Sequence, residues 1–192
     1  MALHAGIFPS AFILHPSSLK PKSPTLSQCR TAELVLPNDT NVLGNLMGGR
    51  LLHLMDICAA IAAQRHSNRT VVTAGVDNVD FQSAIKLGEV VILESVVNRA
   101  FTTSMETEIN VWAEDNTKGV RRKCNRAFYT FVALDENGRP VPVPPIEPET
   151  DEQRERFEGA AQRRELRLIL AGRLELDNAK HLLDHITTIT GA

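Results

Sequence analysis

The chain has 192 residues, of which 43% are hydrophobic and 23% charged, and it carries a net charge of −2. Such a composition belongs to a globular protein with one ordinary core, and the faintly acidic balance argues against a general nucleic-acid binder, whose footprint is basic. No apolar run approaches the roughly 18 residues of a membrane-spanning helix, and the three cysteines are too scattered for a disulfide framework or a zinc cluster.

Residues 1–32 contain no Asp or Glu and carry Pro9, Pro16, Pro21 and Pro24 among several serines. They are expected to form a disordered extension or a misassigned start; an organellar transit peptide is the alternative to a cytoplasmic location. A main domain is expected over 33–148. Ala32–Leu36 begins a sheet, Pro37-Asn38-Asp39-Thr40 has turn chemistry, and a helix runs from Gly48 to His66. The period then changes. Val71–Val79, Glu89–Arg99, Ser104–Ala113 and Arg122–Leu134 are β-branched or aromatic-rich and partly alternating, which predicts strands. Hairpin connections are expected at Phe101-Thr102-Thr103 and at Asp115–Gly119, and the prolines of 140–148 end the sheet. A helical extension is expected over 149–192: Thr150 with Gln153 forms a capping box for a helix over Glu152–Leu170, which packs through Phe157 and Ala161. A shorter helix is expected over Leu174–Ile186.

One long apolar helix followed by four antiparallel strands predicts a curved sheet wrapped around that helix. The exposed edge of such a sheet invites pairing with a second copy, so a dimer is expected.

The helix carries a chemical anomaly. From Leu51 to Ala63 it is apolar almost all round, which marks it as buried, yet Asp56 sits in its middle. An unpaired buried carboxylate costs several kcal/mol, so it needs a partner, water or a task. Ahead of it, Gly44-Asn45-Leu46-Met47-Gly48-Gly49 brings an amide and two glycines to a helix start, where free N–H groups point outward. An acid and a set of oriented donors suit attack on a carbonyl.

The run DTNVLGNLMGGRLLHLMD, then Ala62-Ala63-Gln64-Arg65-His66, Val72-Thr73-Ala74, Asp80-Phe81, Gly88-Glu89-Val90 and Ser104-Met105-Glu106, resembles the acyl-CoA thioester hydrolases of the hotdog-fold superfamily, of the YciA and cytosolic brain types. Phe128–Val132 and Val141–Pro144 extend the match, which covers roughly 33–157. The resemblance implies an α+β hotdog fold, dimerising into a double hotdog and often further as a trimer of dimers. It implies an enzyme of fatty-acid metabolism that cleaves acyl-CoA into acid and CoA, with no cofactor beyond the substrate. It assigns the active site to Asn45 and Asp56; the Gly48 or Gly49 N–H at the helix start is then expected to hold the oxyanion. Asp56 lies seven or eight residues into the helix, roughly 11–12 Å along its axis, so Asn45 and Asp56 of one chain are poorly placed to share a small group. Across a two-fold axis they can meet. Arg121, Arg122 and Lys123, with Arg99, are candidates for the CoA phosphates; Thr103 and Ser104 are candidates to line the pantetheine.

Each residue also has a plainer reading. Asp56 alone fits a solvated groove or an arginine partner, and Gly-Asn before a helix is ordinary capping. The basic cluster fits a solvated strand end. Arg50 and Leu51 replace the Lys and Ser/Thr of a phosphate loop, so a nucleotide triphosphatase is excluded. Cys58 reads as core rather than nucleophile, His53 as a helix-face residue, and His181 with His185 as surface residues rather than a metal pair. A hotdog hydratase or dehydratase would place His where Ile61 stands. A non-catalytic acyl-CoA-binding regulator is the other alternative.

Overall fold

The computed structural model describes residues 19–77 and 79–190. Its centre is α1 (Gly48–Ser67), 20 residues long. Around it curls a five-stranded sheet: β1 (Cys29–Leu34), β2 (Thr70–Val76), β3 (Val90–Ala100), β4 (Ser104–Asp115) and β5 (Val120–Leu134), in spatial order β1-β3-β4-β5-β2. Every pairing is antiparallel. This is the hotdog fold expected from the sequence.

Hydrophobic patterning explains the wrap. Met55, Cys58, Ala59, Ala62 and Ala63 of α1 are fully buried against Leu93, Val97, Met105, Ile109 and Phe131 of the strands. Four of those helix positions are small, which lets the sheet close tightly on the helix, and each large aliphatic side chain it covers contributes about 2 kcal/mol. Asn68, in the left-handed conformation at φ 52°, ends α1.

Two hairpins fall where the turn residues place them, at 101–103 and 116–119. The route from β2 to β3 differs from a simple meander. β2 crosses to pair with β5, leaving its other side as a sheet edge. A bulge between Thr73 and Gly75 bends that edge strand.

The domain also starts earlier than the expected boundary at residue 33, which falls inside β1. Ser23 Oγ accepts from the Thr25 N–H at the head of a 3-10 turn over Pro24–Ser27. Ser27 Oγ is buried, donates to Pro24 O and accepts from Val97 N–H at 2.9 Å. Lys22 is bound through its backbone to Pro145 and Glu147. The extension expected over 1–32 therefore lies outside the described residues only as far as residue 18.

Beyond the sheet, α2 (Asp151–Leu170) lies over its outer face, opened by the expected Thr150–Gln153 capping box. Phe157 packs toward the core and Ala161 is buried. The last helix, α3 (Lys180–Thr190), begins later than expected because a 3-10 turn over Leu176–Asn178 precedes it.

Candidate active site

Asp56 is half-buried on the face of α1 that looks toward β2. Its Oδ1 accepts a hydrogen bond from Thr73 Oγ1 at 2.6 Å. Among the described residues no cation pairs with it. A short hydroxyl donor fixes the carboxylate's direction without neutralising it, and one oxygen is left for other work.

The carboxylate faces a cavity of about 510 Å3 lined by Leu52, His53, Asp56, Val76, Asp77, Val79, Phe81 and Tyr129. Its walls are mainly apolar. Tyr129 is buried, and burial followed by the nearby Asp56 charge pushes its phenol up to about 12, so it stays protonated at neutral pH. Phe81 closes the cavity against the head of α1: a Cβ on Gly48 would stand 3.3 Å from the ring, so only glycine lets it lie there without displacement.

At that head no side chain caps the helix, leaving the Gly48 and Gly49 N–H groups without intrahelical partners. The preceding turn is shaped by Asn41, whose Oδ1 accepts from the Leu43 and Asn45 N–H groups at 2.9 and 3.2 Å. Gly44 completes the turn at φ +73°, a conformation that disfavours a side chain. The Asn41 amide NH2 has no acceptor among the described residues, so it is oriented and free to donate. Asn45 is half-buried. Neither asparagine lines the Asp56 cavity of its own chain.

The residues expected to meet CoA stand apart. Arg99, Thr103 and Ser104 cluster at one end of β4 and Arg121, Arg122 and Lys123 at the other, separated by a strand of 12 residues. Arg99 stacks on Phe157 at 3.9 Å and donates to its carbonyl. Arg122 forms a bidentate pair with Glu89 at 2.7 Å and also binds Ala84 O; it holds the Glu89 carboxyl below the usual carboxylate range. Arg121 lies over Trp112 and pairs with Glu94, and Lys123 lies over the same ring. Cys58, buried beside Cys29, has its thiol pushed up to about 12, chiefly by burial, which suits core rather than nucleophile. His181 reaches Glu158 at 3.6 Å, and among the described residues no group of three or more His, Cys, Asp or Glu is arranged to hold a metal ion.

Thr73, which holds Asp56 from β2, is a site residue that its sequence context does not single out, although it lies in Val72-Thr73-Ala74. The signal was a hydroxyl on the strand that follows the helix, but no local pattern announces which helix residue it will meet.

Residues 43–120 match the family model described as the thioesterase superfamily. The chain is 46% identical over 119 residues to an uncharacterized acyl-CoA thioester hydrolase, YkhA, of Bacillus subtilis, covering 62% of this chain and 69% of that protein. It is 37% identical over 149 residues, 76% of this chain, to a cytosolic acyl coenzyme A thioester hydrolase of Rattus norvegicus, and spans 38% of that longer protein. A solved hexameric acyl-CoA thioesterase superposes with a TM-score of 0.77 at 39% identity, covering 80% of this chain and 98% of that one. An acyl-CoA hydrolase of Staphylococcus aureus, solved with butyryl coenzyme A, coenzyme A and coenzyme A disulfide, superposes at 0.73 with 33% identity, covering 86% and 98%. The chain belongs to the thioesterase superfamily, within its acyl-CoA thioester hydrolase family.

Alanine variants of the Staphylococcus aureus enzyme have been solved at an Asn, an Asp and a Thr spaced 15 and then 17 residues apart along that chain. Asn41, Asp56 and Thr73 carry the same residue types at the same two spacings.

Proposed function

We propose that the protein hydrolyses acyl-CoA thioesters to a free acid and CoA, with Asp56 as the reacting carboxylate. The observation that carries this reading is Asp56 itself: a carboxylate without a cationic partner among the described residues, aimed by Thr73 into an apolar cavity sized for an acyl group. In the reaction Asp56 either takes a proton from the attacking water or attacks the thioester carbon to give a mixed anhydride that water then opens. In both routes CoA thiolate leaves and is protonated. The free N–H groups at the head of α1 suit the developing oxyanion, since the helix dipole favours negative charge there.

The amide that completes the site comes from the turn before α1. Asn45 was the sequence expectation; the 15-residue spacing and the oriented, unused NH2 favour Asn41, four residues earlier. Because neither asparagine lines the cavity of its own chain, the amide is supplied by a second subunit. Support comes from the free edge of β2 and from half-exposed Ile57, Val72 and Val76 on the same side, and from the hexameric state of a solved relative. For the CoA phosphates Lys123 is better placed than Arg99, Arg121 and Arg122, which already hold carbonyl or carboxylate partners.

The test is release of free thiol from a chain-length series of acyl-CoAs by the purified protein; no release from any member overturns the reading. Mixing inactive Asn41→Ala and Asp56→Ala subunits tests the shared site. One intact site per mixed dimer is expected to restore activity, and the same mixture with Asn45→Ala separates the two asparagines. Activity that never returns on mixing contradicts the shared arrangement.

A further inference from the structure

The Asp56 cavity holds a second carboxylate, Asp77. Two acids on a mostly apolar wall would repel each other and resist an apolar chain unless one is neutralised. Asp77 is neutralised from the outer face of the sheet. Its Oδ2 accepts from Arg167 Nη1 at 2.7 Å, and Arg167 Nη2 donates to Glu106 Oε2 at 2.9 Å. Glu106 is fully buried on β4, and its other oxygen takes two hydrogen bonds from Arg163 at 2.6 and 3.1 Å. Arg163 lies over Phe128 at 3.7 Å, and the Phe128 carbonyl accepts from the Asp77 N–H at 3.0 Å. Both arginines belong to α2. Helix α2 thus grips the residue at which β2 gives way to the segment carrying Val79 and Phe81, two walls of the cavity. Further along, Asn125 Nδ2 holds Asp80 O at 2.7 Å.

We propose, on the thioesterase reading above, that Arg167 is a positioning and specificity-determining residue: by gripping Asp77 it sets the wall formed by Val79 and Phe81 and so determines how well long acyl groups are held. Arg167 touches no reacting atom. Its effect falls on the binding of the acyl chain beyond the thioester and spares the chemistry at Asp56. An arginine serving only to fasten α2 would alter thermal stability and leave the choice between acyl chains untouched.

The experiment compares kcat/KM for octanoyl-CoA and acetyl-CoA in wild type, Arg167→Met and Arg167→Lys, alongside thermal unfolding of each. Arg167→Met is expected to lower the octanoyl-to-acetyl ratio about tenfold, chiefly through a raised KM for octanoyl-CoA, with kcat on acetyl-CoA within about twofold. Arg167→Lys, which keeps the charge but not the fork, is expected to recover part of the ratio and to leave it about threefold below wild type. A folded Arg167→Met protein with the wild-type ratio overturns the proposal. Should that variant fail to fold, Arg167→Lys decides: a shift of about threefold supports the proposal and an unchanged ratio overturns it. A wild type inactive on every acyl-CoA overturns the thioesterase reading itself and this inference with it; an active wild type with an unshifted variant sinks only the inference.

Discussion

The two faces of the sheet treat a carboxylate in opposite ways. On the inner face Asp56 stands in an apolar helix with a single hydroxyl donor and no cation among the described residues. On the outer face Glu106 and Glu108 are buried under α2 and saturated with charge: Arg163 and Arg167 hold the first, Arg126 and Arg156 the second. Although burial alone would raise it, the Glu108 carboxyl is held below its ordinary value by Arg126. A carboxylate fully spent on arginines fastens one element to another. A carboxylate aimed by one neutral donor and left facing a cavity is available for chemistry. That difference in partners separates architecture from function.

The contrast can be broken at each side. The largest stability effect is expected on the outer face. Glu106→Ala leaves two arginines under α2 without their shared acceptor and should cost about 3 kcal/mol, read as a lowered urea midpoint. A loss below the error of that measurement would mean the network is ornamental to the fold. On the inner face, Thr73→Val keeps the shape and removes the donor that aims Asp56. It should lower kcat about tenfold while leaving the urea midpoint nearly unchanged. A drop in stability with kcat intact would reverse the assignment of Thr73.

The smallest effect belongs to a third buried group. His66 Nε2–H donates to Pro144 O at 2.7 Å, while Nδ1 is buried without a hydrogen-bond partner among the described residues, so charging the ring would strand a proton. Burial therefore holds its pKa below the ordinary value. The unfolded chain takes up that proton near 6.5, whereas the folded chain resists it, so in that window the unfolded state binds more protons and stability falls as pH falls. The urea midpoint should decline from pH 7.5 to pH 5, and His66→Gln should flatten the decline. An equal slope in both proteins would remove His66 from the account.

Some of this was legible before any coordinates. An apolar helix interrupted by Asp56 is anomalous in any fold, and the turn residues at 101–103 and 115–119 mark their hairpins through local conformational preference alone. The crossing of β2 to β5 left no local trace, because strand order depends on closure of the whole sheet. β1 was half missed because Arg30, Thr31 and Glu33 look solvent-bound and follow a proline-rich stretch; only its pairing with β3 makes it a strand. Alternation in Met105-Glu106-Thr107-Glu108 predicts a strand but not what covers its glutamates, which are buried under arginines of a helix some 50 residues later. Arg99 and Arg122 make the same point: charge is visible in a sequence, and the partners they hold, the Phe157 carbonyl and Glu89, are not.

The most direct test of the account is the steady-state rate of thiol release by Asp56→Asn beside wild type, with both proteins shown to unfold alike. Loss of the only free carboxylate proposed to react should lower kcat by about a thousandfold with little change in KM. An Asp56→Asn protein that hydrolyses acyl-CoA within a few-fold of wild type would contradict it.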